Sequence, residues 1–275
     1  MSSTALPAAI ERPRAFVSLS GPDAAEFLER MVSNEVEALA PGESCEALLL
    51  TPKSRVIATL VVVRRASEDF LLVTEPDLGD VVAETLLRAR FAAKVTVGSE
   101  EHSSHVVLAT SPPEGASWWF ATDAYGVGAL EVIDSPVPAG TRVLDEEAAE
   151  LLRIEAGTPA IGREIDDRVL PAEAGLVERA VSFTKGCYPG QEPVARLHHR
   201  GHVNRELRVI VIDTSEPPDR DADVCLGERV VGRVTSAISR DQESVALAYV
   251  RAEVAADAKL VVNGASARLT VRRRP

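Results

Sequence analysis

One cysteine stands in a stretch of residue types that suit chemistry better than regular structure. Cys187 lies between Gly186 and Gly190, with Lys185 before the first glycine and Glu192 after the second. Glycines permit backbone turns and a close approach of ligands. Lys185 is placed to favour the thiolate, which attacks electrophiles or binds metal, whereas Glu192 opposes this if it lies close. The alternative is that Cys187 is a small buried residue of a structural loop.

This segment must be positioned by regular elements, which the periodicity of the apolar residues predicts. Residues 15–19, 45–50, 56–63, 70–74 and 94–97 have the pattern of strands, and helices are predicted from residue 24 and at 78–91. Their order predicts one sheet covered by helices. Residues 1–13 show little periodicity and are expected to form a loose arm.

The pattern continues through a second α/β segment and then changes. Strands are predicted at 105–109, 118–121 and 130–133, followed by a helix at 145–155 that Gly157 ends. Beyond about residue 206, short strands between glycines and charged turns predict a small barrel. We therefore predict an α+β chain with an N-terminal α/β subdomain (14–110), a second α/β subdomain that carries the cysteine segment (111–205) and a C-terminal β-barrel (206–275).

Composition limits the class of protein. The chain has 275 residues with 30 Lys+Arg against 42 Asp+Glu, a formal charge of −12 that disfavours general nucleic-acid binding. The three cysteines have neither the pairing of a disulfide framework nor the spacing of a structural zinc site. Neither a signal peptide nor an apolar run long enough to span a bilayer is apparent. We expect a cytoplasmic protein, monomeric and away from membranes.

The cysteine segment also carries a family resemblance. Lys-Gly-Cys-Tyr-Pro-Gly-Gln-Glu at 185–192, followed by Arg196, closely resembles the signature of YgfZ-type folate-binding proteins. Residues 153–157, 171–173 and 200–205 are similar to further segments of that family, and residues 232–236 are similar to the barrel of aminomethyltransferases. The resemblance covers nearly the whole chain. It implies aminomethyltransferase-like α/β folate-binding domains followed by a small β-barrel.

The resemblance implies a function, a ligand and a set of site residues. YgfZ-type proteins support iron–sulfur cluster assembly or repair and, through iron–sulfur enzymes, tRNA modification. The implied ligand is tetrahydrofolate or a derivative, with the Glu155 carboxylate accepting two parallel N–H bonds from the pterin. The alternative for Glu155 is a cap or ion pair near a helix end beside Arg153. The residues assigned to folate are Glu155, Lys185, Tyr188, Gln191 and Arg196. Cys187 would make transient cluster contact, exchange electrons or recognise a partner.

One departure from the enzymes of this superfamily concerns catalysis. In the aminomethyltransferase of the glycine cleavage system, a Gly-Gly-x-Ile-Asp-Asp pattern on the second hairpin strand carries the catalytic aspartate. Residues 54–59 stand at that position here, where Ala58 and Thr59 replace the two carboxylates, and no Asp or Glu lies between Ala47 and Ala66. A methyl group cannot accept a proton, and a threonine is a poor substitute for a carboxylate. Loss of aminomethyl transfer is therefore expected.

A basic, histidine-rich window follows the cysteine segment. It contains Arg196, His198, His199, Arg200, His202, Arg205 and Arg208. It could bind the glutamate tail of folate or an acidic or RNA partner. Metal ligation by His198 and His202 is disfavoured, because Gly201 interrupts a helical pairing and no adjacent carboxylate completes a site. A solvated strand and turn is the commonest explanation of such a patch.

These observations leave three functional hypotheses. The leading one is a folate-binding accessory protein whose partners are iron–sulfur assembly proteins or client enzymes. The second is a folate-dependent aminomethyltransferase or one-carbon transfer enzyme that uses other acid–base residues, such as Asp166, Asp167 or Glu192. The third is an interaction module with an empty cavity.

Overall fold

Residues 8–270 are described by a computed structural model, and they begin with a strand, β1 (Ala8–Glu11). The expectation of a loose arm is therefore wrong for this part of residues 1–13, because Ala9 and Ile10 are buried in a sheet. Residues 1–7 of the expected arm, and the last five residues of the expected barrel, lie outside the described residues.

Five antiparallel strands form the first sheet, in the order β3-β4-β5-β2-β6. They are β2 (Ala15–Ser20), β3 (Ser44–Leu50), β4 (Val56–Ala66), β5 (Asp69–Thr74) and β6 (Thr96–Glu100). Helices α1 (Ala24–Met31) and α2 (Gly79–Ala89) cover one face, where Phe27, Leu28 and Leu86 are buried against alternate residues of the strands. A short 3-10 turn, Pro76–Leu78, leads into α2. Every predicted element of this segment is present within a few residues.

The opposite face of the first sheet packs on a second sheet. Phe16 and Leu71 meet Phe120 and Ile133 in one buried cluster. The second sheet has the order β10-β1-β7-β9-β8, built from β7 (Ser104–Val107), β8 (Trp118–Thr122), β9 (Ala129–Ile133), β10 (Arg142–Leu144) and β1. Helix α3 (Glu146–Ala156) begins where the Asp145 side chain accepts a 2.8 Å hydrogen bond from the Ala148 amide.

Strand pairing interleaves the two predicted α/β segments. Strand β1 precedes residue 14, yet it pairs in parallel with β10 and antiparallel with β7. Strand β7 precedes residue 111 and also belongs to the second sheet. The limits of 14–110, 111–205 and 206–275 stay a prediction about domains.

Two helices follow α3, and the second corrects an expectation. They are α4 (Val177–Ala180) and α5 (Gln191–Arg200), so the basic window starts on a helix rather than a strand and turn. Gly190, with φ of +82°, immediately precedes α5. Pro193 is tolerated because it lies in the first turn, where the backbone N–H groups have no partner within the helix. Val194 is buried on the packed side of α5.

Residues 205–270 form a closed barrel of six strands. They are β11 (Arg205–Ile212), β12 (Asp223–Leu226), β13 (Arg229–Arg240), β14 (Glu243–Arg251), β15 (Leu260–Val262) and β16 (Ala265–Thr270). Small and branched side chains such as Val234, Ala248 and Val262 fill its interior. The predicted α+β class with a C-terminal β-barrel is confirmed. Within residues 8–270, no helix combines the length and the apolar character needed to cross a membrane.

Candidate functional site

The segment that carries Cys187 is anchored at its entry by Lys185. Its ammonium donates hydrogen bonds to the carbonyl oxygens of Glu29 (2.6 Å), Val32 (2.8 Å) and Asn34 (2.8 Å) at the end of α1 and just beyond it. The Glu29 carboxylate lies 3.2 Å from the same nitrogen, and the lysine side chain is fully buried. Burial lowers the pKa of Lys185, while the charge of Glu29 opposes this. The ammonium is thus committed to α1 and fixes the loop; its predicted folate contact stays a prediction.

Gly190 anchors the other end of the segment on the β3–β4 turn. The Ser54 hydroxyl donates a hydrogen bond of 2.5 Å to the Gly190 carbonyl oxygen. A Cβ atom at Gly190 would lie 2.5 Å from the carbonyl oxygen of Thr51, and φ is +82°. Only glycine meets both conditions without strain. The loop from Lys185 to Gly190 is therefore clamped at both ends, at its start by the end of helix α1 and at its end by the β3–β4 turn.

Between these anchors the cysteine is accessible and the tyrosine is not. Cys187 is exposed, as is Gly186 before it. This excludes the interpretation of Cys187 as a buried packing residue. Tyr188 is buried in the core, where burial raises its pKa to about 12, and its hydroxyl has no hydrogen-bond partner among the described residues. The Lys185 nitrogen lies 5.6 Å from the centre of the tyrosine ring. The tyrosine thus holds the loop while the thiol faces solvent.

The remaining motif residues lie on α5. Gln191 is the first helical residue and is half-buried, whereas Glu192 and Arg196 are exposed one turn apart. His198 stacks on Phe183, with ring centres 3.9 Å apart and an angle of 15° between the planes. Over the described part of the chain, no group of three or more His, Cys, Asp and Glu side chains is arranged to hold a metal ion.

Glu155 lies elsewhere, at the contact between α3 and the barrel. Its carboxylate is buried and accepts a 2.7 Å hydrogen bond from the Arg240 guanidinium of β13. Arg240 also donates to Glu243 at 2.8 Å. Arg153, two residues earlier, is bound instead to Glu150 and Glu164. The pterin contact of Glu155 stays a prediction, and its alternative, an ion pair, is what the structure contains.

A small cavity of about 70 Å³ lies between the two sheets. Its walls include Thr59 of β4, one of the two residues at the position predicted for the lost catalytic carboxylate. Its charged lining residues are Arg12, Arg14, Glu46, Glu75, Glu131 and Arg179. Cys187, Glu155 and Lys185 do not line it. The predicted site residues therefore fall into two groups, one on the clamped loop and α5 and one at the barrel.

Sequence reasoning missed the ion pairs of this cavity. Arg14 binds both oxygens of the Glu131 carboxylate, at 2.7 and 2.8 Å, and reaches Glu75 at 2.8 Å. Arg12 binds the same Glu75 oxygen at 2.9 Å. Burial disfavours the charge of Glu131, yet Arg14 outweighs it and keeps the Glu131 pKa below its usual range. The sequence did offer one sign of such a pair, which is the glutamate inside the apolar strand Ala129–Ile133. A charged side chain is almost never buried without a partner, so a glutamate in a buried strand predicts a basic partner nearby.

A third arginine, Arg179, pairs the remaining carboxylate of the cavity, that of Glu46. Arg179 lies 3.0 Å from Glu46 and 2.9 Å from Asp123. Each described carboxylate that lines the cavity therefore has an arginine partner. A volume of about 70 Å³ is also far below the ~300–1,000 Å³ of typical ligand sites. As arranged here, the cavity does not fit the pterin of tetrahydrofolate, whose ring edge needs a carboxylate able to accept two N–H bonds.

The acid–base residues proposed for a transferase lie away from this cavity. Asp166 is bound to Arg168 at 2.7 Å, Asp167 is exposed, and Glu192 is exposed on α5. None of the three lines the cavity between the sheets. The structure therefore does not bring them together with Thr59.

Comparison with known proteins agrees with this architecture. The GCVT N-terminal domain model matches residues 15–111. The crystal structure of glycine cleavage system aminomethyltransferase T from Bartonella henselae superposes with a TM-score of 0.83 over 98% of this chain and 88% of that one, at 19% identity. The fold is that of the aminomethyltransferases.

Two curated relatives indicate which branch of the aminomethyltransferase-like proteins this chain resembles. The tRNA-modifying protein YgfZ of Klebsiella pneumoniae (strain 342) is 26% identical over 260 residues, which covers 82% of this chain and 79% of that protein. The mitochondrial iron-sulfur cluster assembly factor IBA57 of Homo sapiens is 29% identical over 226 residues, 70% of this chain and 63% of that protein. The resemblance predicted from the cysteine motif, to YgfZ-type proteins of the aminomethyltransferase superfamily, is confirmed.

Proposed function

We propose that this chain is an accessory protein of iron–sulfur cluster assembly or repair, in which Cys187 makes the contact with a cluster or with a partner that carries one. The observation that carries the proposal is an exposed thiol on a loop clamped at both ends, by Lys185 and Gly190. The names of the YgfZ and IBA57 relatives support the process. Through iron–sulfur client enzymes, the role extends to tRNA modification.

Cys187 can supply only one ligand to an iron–sulfur cluster, which limits the kind of contact that it can make. Thiolates are the soft ligands that iron–sulfur clusters take from proteins, usually four to a cluster. The described residues contain no group of ligands around Cys187 that would complete such a set. The remaining ligands must come from the partner or from the cluster's own carrier. Because the loop is already ordered, Cys187 loses little conformational entropy when it binds.

Tetrahydrofolate, or a derivative, is the proposed small-molecule ligand, supported by the aminomethyltransferase fold and by the presence of Glu155 in the matching segment. Its binding requires a larger cavity and the release of Glu155 from Arg240, which now holds the carboxylate at 2.7 Å.

We place the protein in the cytoplasm, as a monomer whose partners are iron–sulfur assembly proteins or client enzymes.

The thiol is tested by replacing it in cells that lack the native protein. A Cys187→Ser variant should fail to restore the activity of iron–sulfur enzymes, whereas Cys45→Ser should restore it, because Cys45 is partly buried behind the loop that follows α1. Equal protein levels must be verified by immunoblot. Full rescue by Cys187→Ser would remove the thiol from the mechanism.

Folate binding is tested separately by calorimetric titration with tetrahydrofolate. The parent chain should bind, and Glu155→Ala should bind at least ~10-fold more weakly because the charge-assisted acceptor is lost. Glu243→Ala is the matched control, since it removes the other carboxylate held by Arg240 and leaves Glu155 in place. Absence of binding by the parent at millimolar ligand would exclude folate without affecting the thiol experiment.

The alternative, a folate-dependent one-carbon transfer enzyme, finds no specific support in the site. Thr59 lines the cavity where the enzymes carry a carboxylate, and each described cavity carboxylate is held by an arginine. A carboxylate fixed as an anion by an arginine is a poor proton donor at neutral pH.

A further inference from the structure

The second sheet has an open edge at strand β8. This strand stands at one end of the order β10-β1-β7-β9-β8, and among the described strands it pairs only with β9, in an unbroken antiparallel register. In such a pair, alternate residues direct both their N–H and their C=O away from the neighbouring strand. Apart from the ladder with β9, the backbone of residues 117–121 makes no hydrogen bond to another described residue. The edge therefore presents donors and acceptors at the spacing of a strand.

A groove of about 510 Å³ runs along this edge. Five consecutive residues, 117–121, form one wall, and Leu39 and residues 42–44 form the other. Successive side chains of a strand point to opposite faces of the sheet, so a groove that touches all five residues must follow the backbone edge. The unpaired groups are therefore accessible. The wall opposite β8 suits a single extended segment better than the edge of a second folded sheet.

The other end strands of the two sheets are protected against pairing. Strand β3 is covered where the Ser33 amide donates a 3.1 Å hydrogen bond to the Leu48 carbonyl oxygen. Strand β6 contains Gly98 and the charged Glu100, and β10 has only three residues and begins with Arg142. Coverage, charges and short length are the usual devices against pairing with another chain. Strand β8 reads Trp-Trp-Phe-Ala-Thr, without a charge, a proline or a bulge, and is the least protected of the described end strands.

The side chains along the groove favour an uncharged occupant. Trp118 and Phe120 pack toward the first sheet, whereas Trp119 is 43% exposed on the opposite face. Glu43 is the one charged residue among the described lining, and its carboxylate accepts a 2.8 Å hydrogen bond from the Ala40 amide. Both faces of an added strand would thus lie beside apolar side chains of β8. Branched side chains such as valine and threonine fit such a position.

We propose that β8 binds an extended, uncharged segment of a partner protein, which adds to the second sheet as a further strand. Strand addition of this kind obtains its affinity from main-chain hydrogen bonds and its selectivity from alternate side chains. This chain's own residues 1–7 do not suit the position. A strand beyond β8 lies four strand spacings, ~19 Å, from β1. Seven extended residues span at most ~25 Å, so about two of them would remain to pair.

The test uses a fluorescein-labelled synthetic peptide, Thr-Val-Thr-Val-Thr-Val-Thr, which is titrated with the full chain and followed by fluorescence anisotropy. The peptide should bind, and a counterpart with every backbone nitrogen methylated should bind at least ~10-fold more weakly, because it has no N–H to donate. In the complex, amide hydrogen exchange within residues 117–121 should slow severalfold, while exchange in β6 and β10 stays unchanged. Equal binding of the methylated peptide, or equal protection of β6 and β10, would overturn the proposal.

Charged substitutions separate this edge from other apolar surface. Trp119→Lys and Ala121→Lys should each weaken peptide binding at least ~10-fold, because a lysine on an edge strand opposes pairing. Both residues are exposed, so neither variant opens a core. The matched control is Val143→Lys, at a residue 50% exposed on the opposite end strand β10, and it should bind like the parent. Equal weakening by all three variants, or parental affinity in Trp119→Lys, would place the binding site elsewhere.

Two other occupants are outcomes of the same experiments. A dimer in sedimentation velocity that Trp119→Lys dissolves would identify a second copy of this chain and overturn the proposal of a partner segment. Faster exchange within residues 117–121 after deletion of residues 271–275, which lie outside the described residues, would assign the edge to this chain's own last residues, and the proposal would fall. Cys187→Ser should leave peptide binding unchanged, so strand addition and the proposed function of the thiol are tested independently.

Discussion

The hydroxyl of Ser54 donates a 2.5 Å hydrogen bond to the carbonyl oxygen of Gly190 and so joins the β3–β4 turn to the end of the cysteine loop. Ser54 itself is fully buried and has a φ of +59°. The β3–β4 turn thus supports the loop that carries the thiol.

Gly190→Ala should therefore damage the clamp. The new Cβ would lie 2.5 Å from the Thr51 carbonyl oxygen at a φ of +82°, so we expect the free energy of unfolding to fall by about 3 kcal/mol. Denaturation in urea measures this. Gly186→Ala is the matched control, because a Cβ there meets nothing within 4 Å. Equal stability of the two variants would contradict the clamp.

Lys185 should act through position rather than through direct chemistry. Lys185→Met removes three hydrogen bonds to carbonyl oxygens around the end of α1 and should lower the free energy of unfolding by about 2 kcal/mol. Amide hydrogen exchange in the loop from Lys185 to Gly190 should also become faster. Lys53→Met, at an exposed lysine of the β3–β4 turn, should change neither quantity. An unchanged loop in Lys185→Met would show that Gly190 holds it alone.

The thiols should differ in reactivity toward an aromatic disulfide reagent at mildly alkaline pH. Burial raises the pKa of Cys45 to about 12, so its thiolate is scarce, whereas Cys187 is exposed. The fast phase of the reaction should disappear in Cys187→Ser and persist in Cys45→Ser. A fast phase that survives Cys187→Ser would assign the reactive thiol to another cysteine.

His102 predicts a pH dependence of stability. Its ring binds Asp134, just after β9 of the second sheet, at 2.6 Å and Glu100 of the first sheet at 2.8 Å. Burial disfavours the charged imidazolium and would lower the pKa of His102. The hydrogen bonds and charges of the two carboxylates outweigh this effect, so the His102 pKa lies above its usual value. Glu100, with its pKa held at about 2 chiefly by Arg65, remains an anion across this range.

A histidine with a raised folded pKa stabilises the protein fully below its unfolded pKa and loses that contribution as the pH rises through the folded value. The free energy of unfolding of the parent relative to His102→Gln should therefore be larger at about pH 6 than at about pH 8.5. His199→Gln, at an exposed histidine of α5, serves as control. A difference that grows toward alkaline pH would refute the assignment.

Local patterns were sufficient to predict most of the fold. The apolar alternation of β4 and the spacing of Phe27 and Leu28 in α1 are visible in the sequence because each element buries one face. Helix α5 was missed because Gly190, Pro193 and Gly201 suggest a loop, whereas here the first two shape its start and the third follows its end.

The site was less accessible to sequence reasoning. The motif singled out Cys187, which the structure shows to be exposed, but it gave no indication of the partners of its neighbours. Those of Lys185 lie about 150 residues earlier in the chain, and Arg240, which binds Glu155, lies in the barrel. Such pairings depend on how the sheets and the barrel pack, which residue types alone do not specify. The Arg14–Glu131 pair, buried between the sheets, belongs to the same class.

The position of β1 has a consequence for how the chain is made. This strand is synthesised before both of its partners, since it pairs with β7 and, in parallel, with β10 at residues 142–144. Until β7 has emerged, β1 has no partner strand, whereas β2 to β6 of the first sheet can already pair with one another. During translation the first sheet can therefore form before β1 is paired, and pairing between strands so distant in sequence is intrinsically slow.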